Sequence, residues 1–249
     1  MKEVLITIVI PARMASSRYP GKPLALISGI PLIEHVRRRA LLADEATLVV
    51  VATCDIEIKN EVERSGGIAV MTKNTHDRCT DRIEEAIQNL PGDIIVMVQG
   101  DEPLINNIML NQAIIPIIEN SKINIINLIG KIDNELEFKD QNCIKVLKNI
   151  NNEALYFSRQ PIPNTGFNHS YAFKQICVIP FRRDFLKLYT ELQPTPIEII
   201  ESIDMLRILE NGMEVHLVET SEISQSVDVI EDISKVEKIL NNENFRFNF

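Results

Sequence analysis

Short apolar runs alternate along this chain with segments of helical spacing, and the alternation sets the expected fold. Residues 4–10, Val-Leu-Ile-Thr-Ile-Val-Ile, are apolar at six of seven positions and mostly β-branched, with no in-out alternation. A strand of that composition is covered on both faces, as in a parallel sheet. A helix is expected over 32–42, a strand over 46–52 ending at Thr53-Cys54-Asp55, a helix over 57–64, a turn at Gly66-Gly67 and a strand over 68–71. Ile83, Ala86 and Ile87 share one side of a helix over 81–89. Residues 93–98 form a further buried strand that runs into Gln99-Gly100-Asp101-Glu102-Pro103-Leu104. The segment 124–181 holds several short apolar runs and a turn at Pro161-Ile162-Pro163-Asn164; it is read as an inserted layer of strands. A helix over 196–211, a strand over 214–218 and a helix over 231–240 complete the pattern. The expected fold class is α/β: one domain over 1–249, a doubly wound, mostly parallel sheet, with a smaller β-rich layer inserted at about 124–181.

Composition narrows the partners. Hydrophobic residues make up 45% of 249 residues, enough for a proper core, and the net charge of -9 argues against nucleic acid, which needs a basic face. Cys54, Cys79, Cys143 and Cys177 are widely spaced with no C-x-x-C pair, so they read as reduced thiols and not as a zinc site or disulfide framework. The apolar start at Val4 is too short for a membrane span and lacks a signal-peptide cleavage pattern. A cytoplasmic protein with no membrane partner is the expectation.

The join between the first strand and residues 11–24 is where the chemistry concentrates. Ligands in open α/β sheets gather beyond the carboxyl ends of the strands, where Arg13, Thr53 and Asp101 would all lie. In the loop, Arg13, Arg18 and Lys22 can neutralise phosphate oxygens, Ser16 and Ser17 offer hydroxyls, and Gly21 allows close backbone approach. The spacing is not that of a Walker loop. Considered by itself, a loop with three cations favours the simpler reading, a solvated surface segment with ordinary charges. Asp101 suits Mg²⁺, which takes one or two carboxylates together with substrate phosphates, though it could be a plain turn residue. Asp228 is a candidate second ligand, with a helix N-cap as its simpler role.

These segments in this order resemble a family. Residues 11–24, the Gln99 to Pro103 motif, Tyr156-Phe157-Ser158-Arg159 and Val227-Asp228 resemble the 3-deoxy-manno-octulosonate cytidylyltransferases, or CMP-Kdo synthetases, over nearly the whole chain. His76, Thr80, Asp81 and Arg82, then Asn142 and Lys145, then Glu198, Glu201, Leu206 and Arg207 match further family motifs. The resemblance implies transfer of CMP from CTP to a 3-deoxy-2-keto sugar acid with release of pyrophosphate, Mg²⁺ as cofactor, and a homodimer. It assigns catalytic roles to Arg13, Lys22 and Asp101, nucleotide binding to Ser17, Arg18, Thr80 and Gln99, and the metal to Asp101 and Asp228.

The departures fall mainly on the sugar side. The family's His-x-Ser-Gly-Thr-Glu-Arg stands here as His76-Asp77-Arg78-Cys79-Thr80-Asp81-Arg82. Gln175 and Ile179 align with a histidine and a tyrosine of the sugar-contact strand, and Asp204-Met205 with a Glu-Gln pair. Near the second metal position, Ser226-Val227-Asp228-Val229-Ile230-Glu231-Asp232 stands for Gly-Val-Asp-Thr-Pro-Glu-Asp. Loss of hydrogen-bonding groups can change selectivity strongly. Three readings remain open: the family's acid, a different acidic or amino sugar acid, and a catalytically degenerate nucleotide-binding homologue. Arg78 could contact a substrate carboxylate or point to solvent.

Overall fold

The computed structural model describes residues 4–16, 18–163, 167–168 and 170–241. Ser17 and Asn164 lie outside the described residues. The first half winds in the expected order, with β1 (Ile6–Ala12), β2 (Leu26–Ile27), β3 (Ile30–Pro31), α1 (Leu32–Ala40), β4 (Leu48–Thr53), α2 (Ile56–Arg64), β5 (Ala69–Met71), α3 (Cys79–Ile87) and β6 (Ile94–Val98). Next come α4 (Asn107–Glu119), β7 (Ile126–Lys131), α5 (Glu135–Lys139), β8 (Lys145–Lys148), β9 (Ala154–Ser158), β10 (Phe173–Ile176) and β11 (Val178–Arg182). The chain closes with α6 (Arg183–Glu191), α7 (Pro196–Glu201), α8 (Met205–Glu210), β12 (His216–Thr220) and α9 (Glu231–Leu240).

The first sheet has the order β11-β6-β1-β4-β5, parallel throughout except for β11. Its central strand is covered on both faces as its composition requires. Ile6, Ile8 and Ile10 pack with α1, α2 and α4, while Val9 faces a second cluster built from α3, α6 and α8. The strand begins two residues later than the apolar run, because Val4 is exposed, and it continues through Pro11 and Ala12. Pairing with β6 stops at Val9, so Pro11 is flanked in the ladder by β4 alone.

The second sheet has the order β12-β7-β10-β8-β9. It takes β7 to β10 from the segment 124–181 and β12 from beyond it, while β11 crosses to the first sheet. The crossing occurs at Cys177, so Gln175 in β10 and Ile179 in β11 belong to different sheets. The helix expected over 196–211 is two helices. Ser202, with a left-handed φ of 56°, ends α7, and the chain turns at Asp204 into α8. The helix α4 carries no clean polar face in sequence and contains Pro116, which hides its period; Asn106 caps it by accepting from the Met109 amide at 2.9 Å. Among the described residues no helix is long and apolar enough to cross a membrane.

Gly100 couples the two central strands. A Cβ there would lie 2.8 Å from the carbonyl oxygen of Pro11, so the end of β6 can approach the end of β1 only without a side chain. Gly100 also lies in the turn that the Glu102 amide closes on the Gln99 carbonyl at 3.2 Å. Gly100→Ala should lower unfolding stability by roughly 1–3 kcal/mol in urea titrations; an unchanged midpoint would show that the two strand ends have room to part.

Candidate active site

The carboxyl ends of β1 and β6 open on a cleft of about 1010 Å³, whose walls also include the ends of β8 to β10 and the start of α9. The loop after β1 is held before it reaches the cleft. Thr53, fully buried at the end of β4, accepts from the Asp55 amide at 3.1 Å, and Asp55 in turn accepts from the Met14 amide at 2.7 Å. Met14 passes the restraint on, since its carbonyl receives the amides of Ser16 and Gly21, both at 2.9 Å. Gly21 has a left-handed φ of 75°, which turns the chain into the short helical turn that carries Lys22.

From that turn the Lys22 ammonium donates to Asp101 Oδ2 and to the carbonyl of Val227, each at 2.7 Å. The Val227 amide donates to the Asp101 carbonyl at 2.9 Å, so three distant segments meet at one cation. Arg18 pairs with Asp228 at 2.7 Å and also reaches Asn142. Asp228 does not cap α9. Its carboxylate takes Ser226 Oγ at 3.1 Å and lines the cleft, while its own amide and that of Val229 donate to Asp232 at 2.9 and 3.0 Å. The carboxyl of Asp228 is pushed up by burial and then by the negative charge of Asp101, against the pull of Arg18 and Lys22.

The sequence-derived candidates divide on this geometry. Arg13, Arg18, Lys22, Gln99, Asp101 and Asp228 all line the cleft. Thr80 is fully buried behind the wall, and its hydroxyl donates to Asp204 Oδ2 at 2.7 Å, which directs it to a neighbouring carboxylate and not to a ligand. Lys145 is also buried; its ammonium donates to the carbonyls of Asp140, Cys143 and Arg159 at 2.6–2.8 Å and so fixes the 140–143 wall. Ile179 and Met205 are each 1% exposed and pack in the core, so neither presents a side chain to the cleft. Gln175 does line it and donates to Asn127 Oδ1 at 2.6 Å.

The dispersed motifs interlock. Glu201 accepts from Ser158 Oγ and from the Arg159 amide, both at 2.9 Å. Glu198, fully buried, takes both arms of Arg207 at 2.7 and 2.8 Å, and Arg207 lies 4.4 Å over the Tyr189 ring. The cysteines are free; burial pushes Cys79 up to about 11 and Cys143 up to about 12, and Cys177 also rises, so none of these three is an activated nucleophile.

Lys174 and Glu102 were not singled out from sequence. Lys174 reaches the cleft because β10 turns it inward, and it donates to Glu137 at 2.6 Å. Glu102 is 5% exposed, and its carboxyl is pushed up to about 7 by burial and then by Asp101. Its position after Asp101 was visible in sequence, but its burial was not. No motif signal marks Lys174.

A family model described as cytidylyltransferase matches residues 7–220. A 3-deoxy-manno-octulosonate cytidylyltransferase of Geobacter metallireducens is 40% identical over 245 residues, covering 93% of this chain and 96% of that protein. One from Fusobacterium nucleatum is 39% identical over 241 residues, covering 96% and 98%. Among solved structures, a CMP:2-keto-3-deoxy-manno-octonic acid synthetase complexed with CTP superposes with a TM-score of 0.87 at 34% identity, covering 96% of this chain and 99% of that one.

Glu102 gives a pH test. Its folded-state value lies above that of an unfolded glutamate, so its contribution to stability is complete below the ordinary carboxylate range and is lost as pH rises through about 7. In EDTA, Glu102→Gln should unfold at a higher temperature than wild type at pH 8, and the difference should vanish near pH 4.5. A difference that stays constant with pH would show that Glu102 binds its proton equally well in the folded and unfolded chain.

Proposed function

The chain belongs to the cytidylyltransferase family, and from that premise we propose that it transfers CMP from CTP to a 3-deoxy-2-keto sugar acid, 3-deoxy-manno-octulosonate or a close relative, releasing pyrophosphate. One observation carries this reading. Lys22, Asp101 and the Val227-Asp228 segment converge in the cleft beyond β1 and β6, in a chain that superposes on a synthetase bound to CTP.

Arg13, Arg18 and Lys22 would take the triphosphate oxygens, with the amides of the restrained loop holding them in register. Asp101 and Asp228 would hold Mg²⁺. The donor set fits, because both are hard oxygen ligands facing one cleft, and the Asp228 carboxyl is raised partly by the charge of Asp101, a repulsion that a divalent cation would relieve. Bound there, the ion would supply positive charge where the α-phosphate accumulates negative charge. Arg18 and Lys22, which neutralise the two carboxylates in this structure, would then be available to the substrate's phosphates.

The sugar acid would lie along the wall of Gln99, Arg159, Gln175 and Asp204. Ile179 and Met205 support a second reading, a different acidic or amino sugar acid, because two positions that are polar in the resembled family are closed apolar core here. A homodimer is supported by β9, the outer strand of its sheet, which leaves Leu155 59% exposed, and by α7, tied to β9 through Glu201, which exposes Ile199 and Ile200. The use of CTP supports a cytoplasmic location.

Pyrophosphate release with CTP, Mg²⁺ and a panel of sugar acids tests the reading. Turnover is expected with at least one 3-deoxy-2-keto acid, and none with any of them would overturn it. Asp101→Asn should cut that turnover by roughly 10²–10³-fold while the variant keeps its fold by circular dichroism; near-normal turnover would remove Asp101 from catalysis.

A further inference from the structure

Arg78 is the residue at which the cleft departs most in chemistry from the resembled family, which carries a small polar side chain there. It stands just before α3 and lines the cleft, yet its side chain is only 18% exposed. Nη1 donates to Ser202 Oγ at 2.8 Å and Nη2 to the Glu198 carbonyl at 3.2 Å. Nε faces Glu198 Oε1 at 3.4 Å and Asp204 Oδ1 at 3.8 Å. All three guanidinium nitrogens are therefore directed at the corner between α7 and α8.

That corner needs support. Ser202 holds a left-handed φ of 56° without being glycine, a conformation costing on the order of 1 kcal/mol that persists only where neighbours over-determine it. Asp204, which lines the cleft, follows two residues later, with Oδ2 committed to Thr80 and Oδ1 3.8 Å from Arg78 Nε. Arg159 supports the same corner from the other side, donating to the carbonyls of Glu201 at 2.8 Å and of Ser202 at 3.4 Å. With its guanidinium committed to Ser202, Glu198 and Asp204, Arg78 holds the corner, and Ser202 and Asp204 are the groups that offer acceptors to hydroxyl or ammonium groups.

We infer that Arg78 is a positioning residue for the acceptor side of the cleft, setting Ser202 and Asp204 against the sugar acid's hydrogen-bond donors, and is not a receptor for the sugar's carboxylate. The inference rests on the proposed reading that this wall takes the sugar acid. It makes the small-to-arginine change part of how this chain selects its acceptor.

The test uses Arg78→Ser, Asp204→Asn and the double variant, with KM for CTP and for the sugar acid measured separately and amide hydrogen exchange recorded across residues 198–206. Arg78→Ser should raise the acceptor KM about tenfold, leave the CTP KM within twofold, and speed exchange at 198–206 more than elsewhere. Because Arg78 acts through Asp204, the double variant should be no worse than the more impaired single variant. An acceptor KM unchanged within twofold in a folded variant, or effects that multiply in the double variant, would overturn the inference. If wild type turns over no acid the functional reading falls by itself, and the exchange measurement still decides the positioning role: unaltered exchange at 198–206 would reject it.

Discussion

The Lys22 ammonium is the contact on which the site depends. It joins Asp101, 79 residues away in sequence, to the carbonyl of Val227, 205 residues away, and the backbone bond between those two residues closes the triangle. The ion pair is partly buried, with Lys22 12% and Asp101 25% exposed, so its attraction is less screened than at a surface, but its desolvation must be offset by good geometry. The geometry is supplied from outside the pair. The relay from Thr53 through Asp55 to Met14 fixes the loop that carries Lys22, and the side-chain-free contact of Gly100 with Pro11 brings Asp101 alongside it.

A chain of net charge -9 can accommodate a polyanion because its cations are gathered where the strands end. Arg13, Arg18, Lys22, Arg159 and Lys174 share one cleft with Asp101, Glu102 and Asp228. Neither sign is isolated: Arg18 and Lys22 each answer a carboxylate, and Glu102, the most buried of the three carboxyls, is held toward its neutral form by burial. The alternation of charges keeps the ligand-free cleft from accumulating repulsion and still leaves both signs within reach of a phosphate and a cation.

The wall of the cleft beside α3 is organised by a different device, a partly buried network from Asp81 through Arg207 and Glu198 to Arg78 and Asp204. It ties α3 to the broken α7–α8 pair, and Glu201 extends it to β9 and Arg159. The cleft-lining Arg78 and Asp204 therefore rest on Asp81, Glu198 and Arg207, which do not line the cleft, so the shape of this wall is a property of the corner as a whole.

The sequence by itself determined the parallel sheet, the helices α1, α2 and α3 that flank it and the place of the cleft at the strand ends, because these depend on local periodicity and on side chains placed at strand ends, where direction follows from the strand; α4 and α6, which also pack on the sheet, were not legible in it. The family motifs also drew attention to Asp101 and Asp228, and both line the cleft. Only tertiary structure decided the remainder. Whether Thr80 and Lys145 face a ligand or a neighbour, whether Ile179 and Met205 are contacts or core, and whether Arg78 meets solvent or the α7–α8 corner all depend on packing between segments as much as 124 residues apart. A polar residue in a motif carries no mark of its partner. The break at Ser202 and the transfer of β11 to the first sheet were hidden for the same reason: both are held by long-range contacts that override what the local pattern prefers.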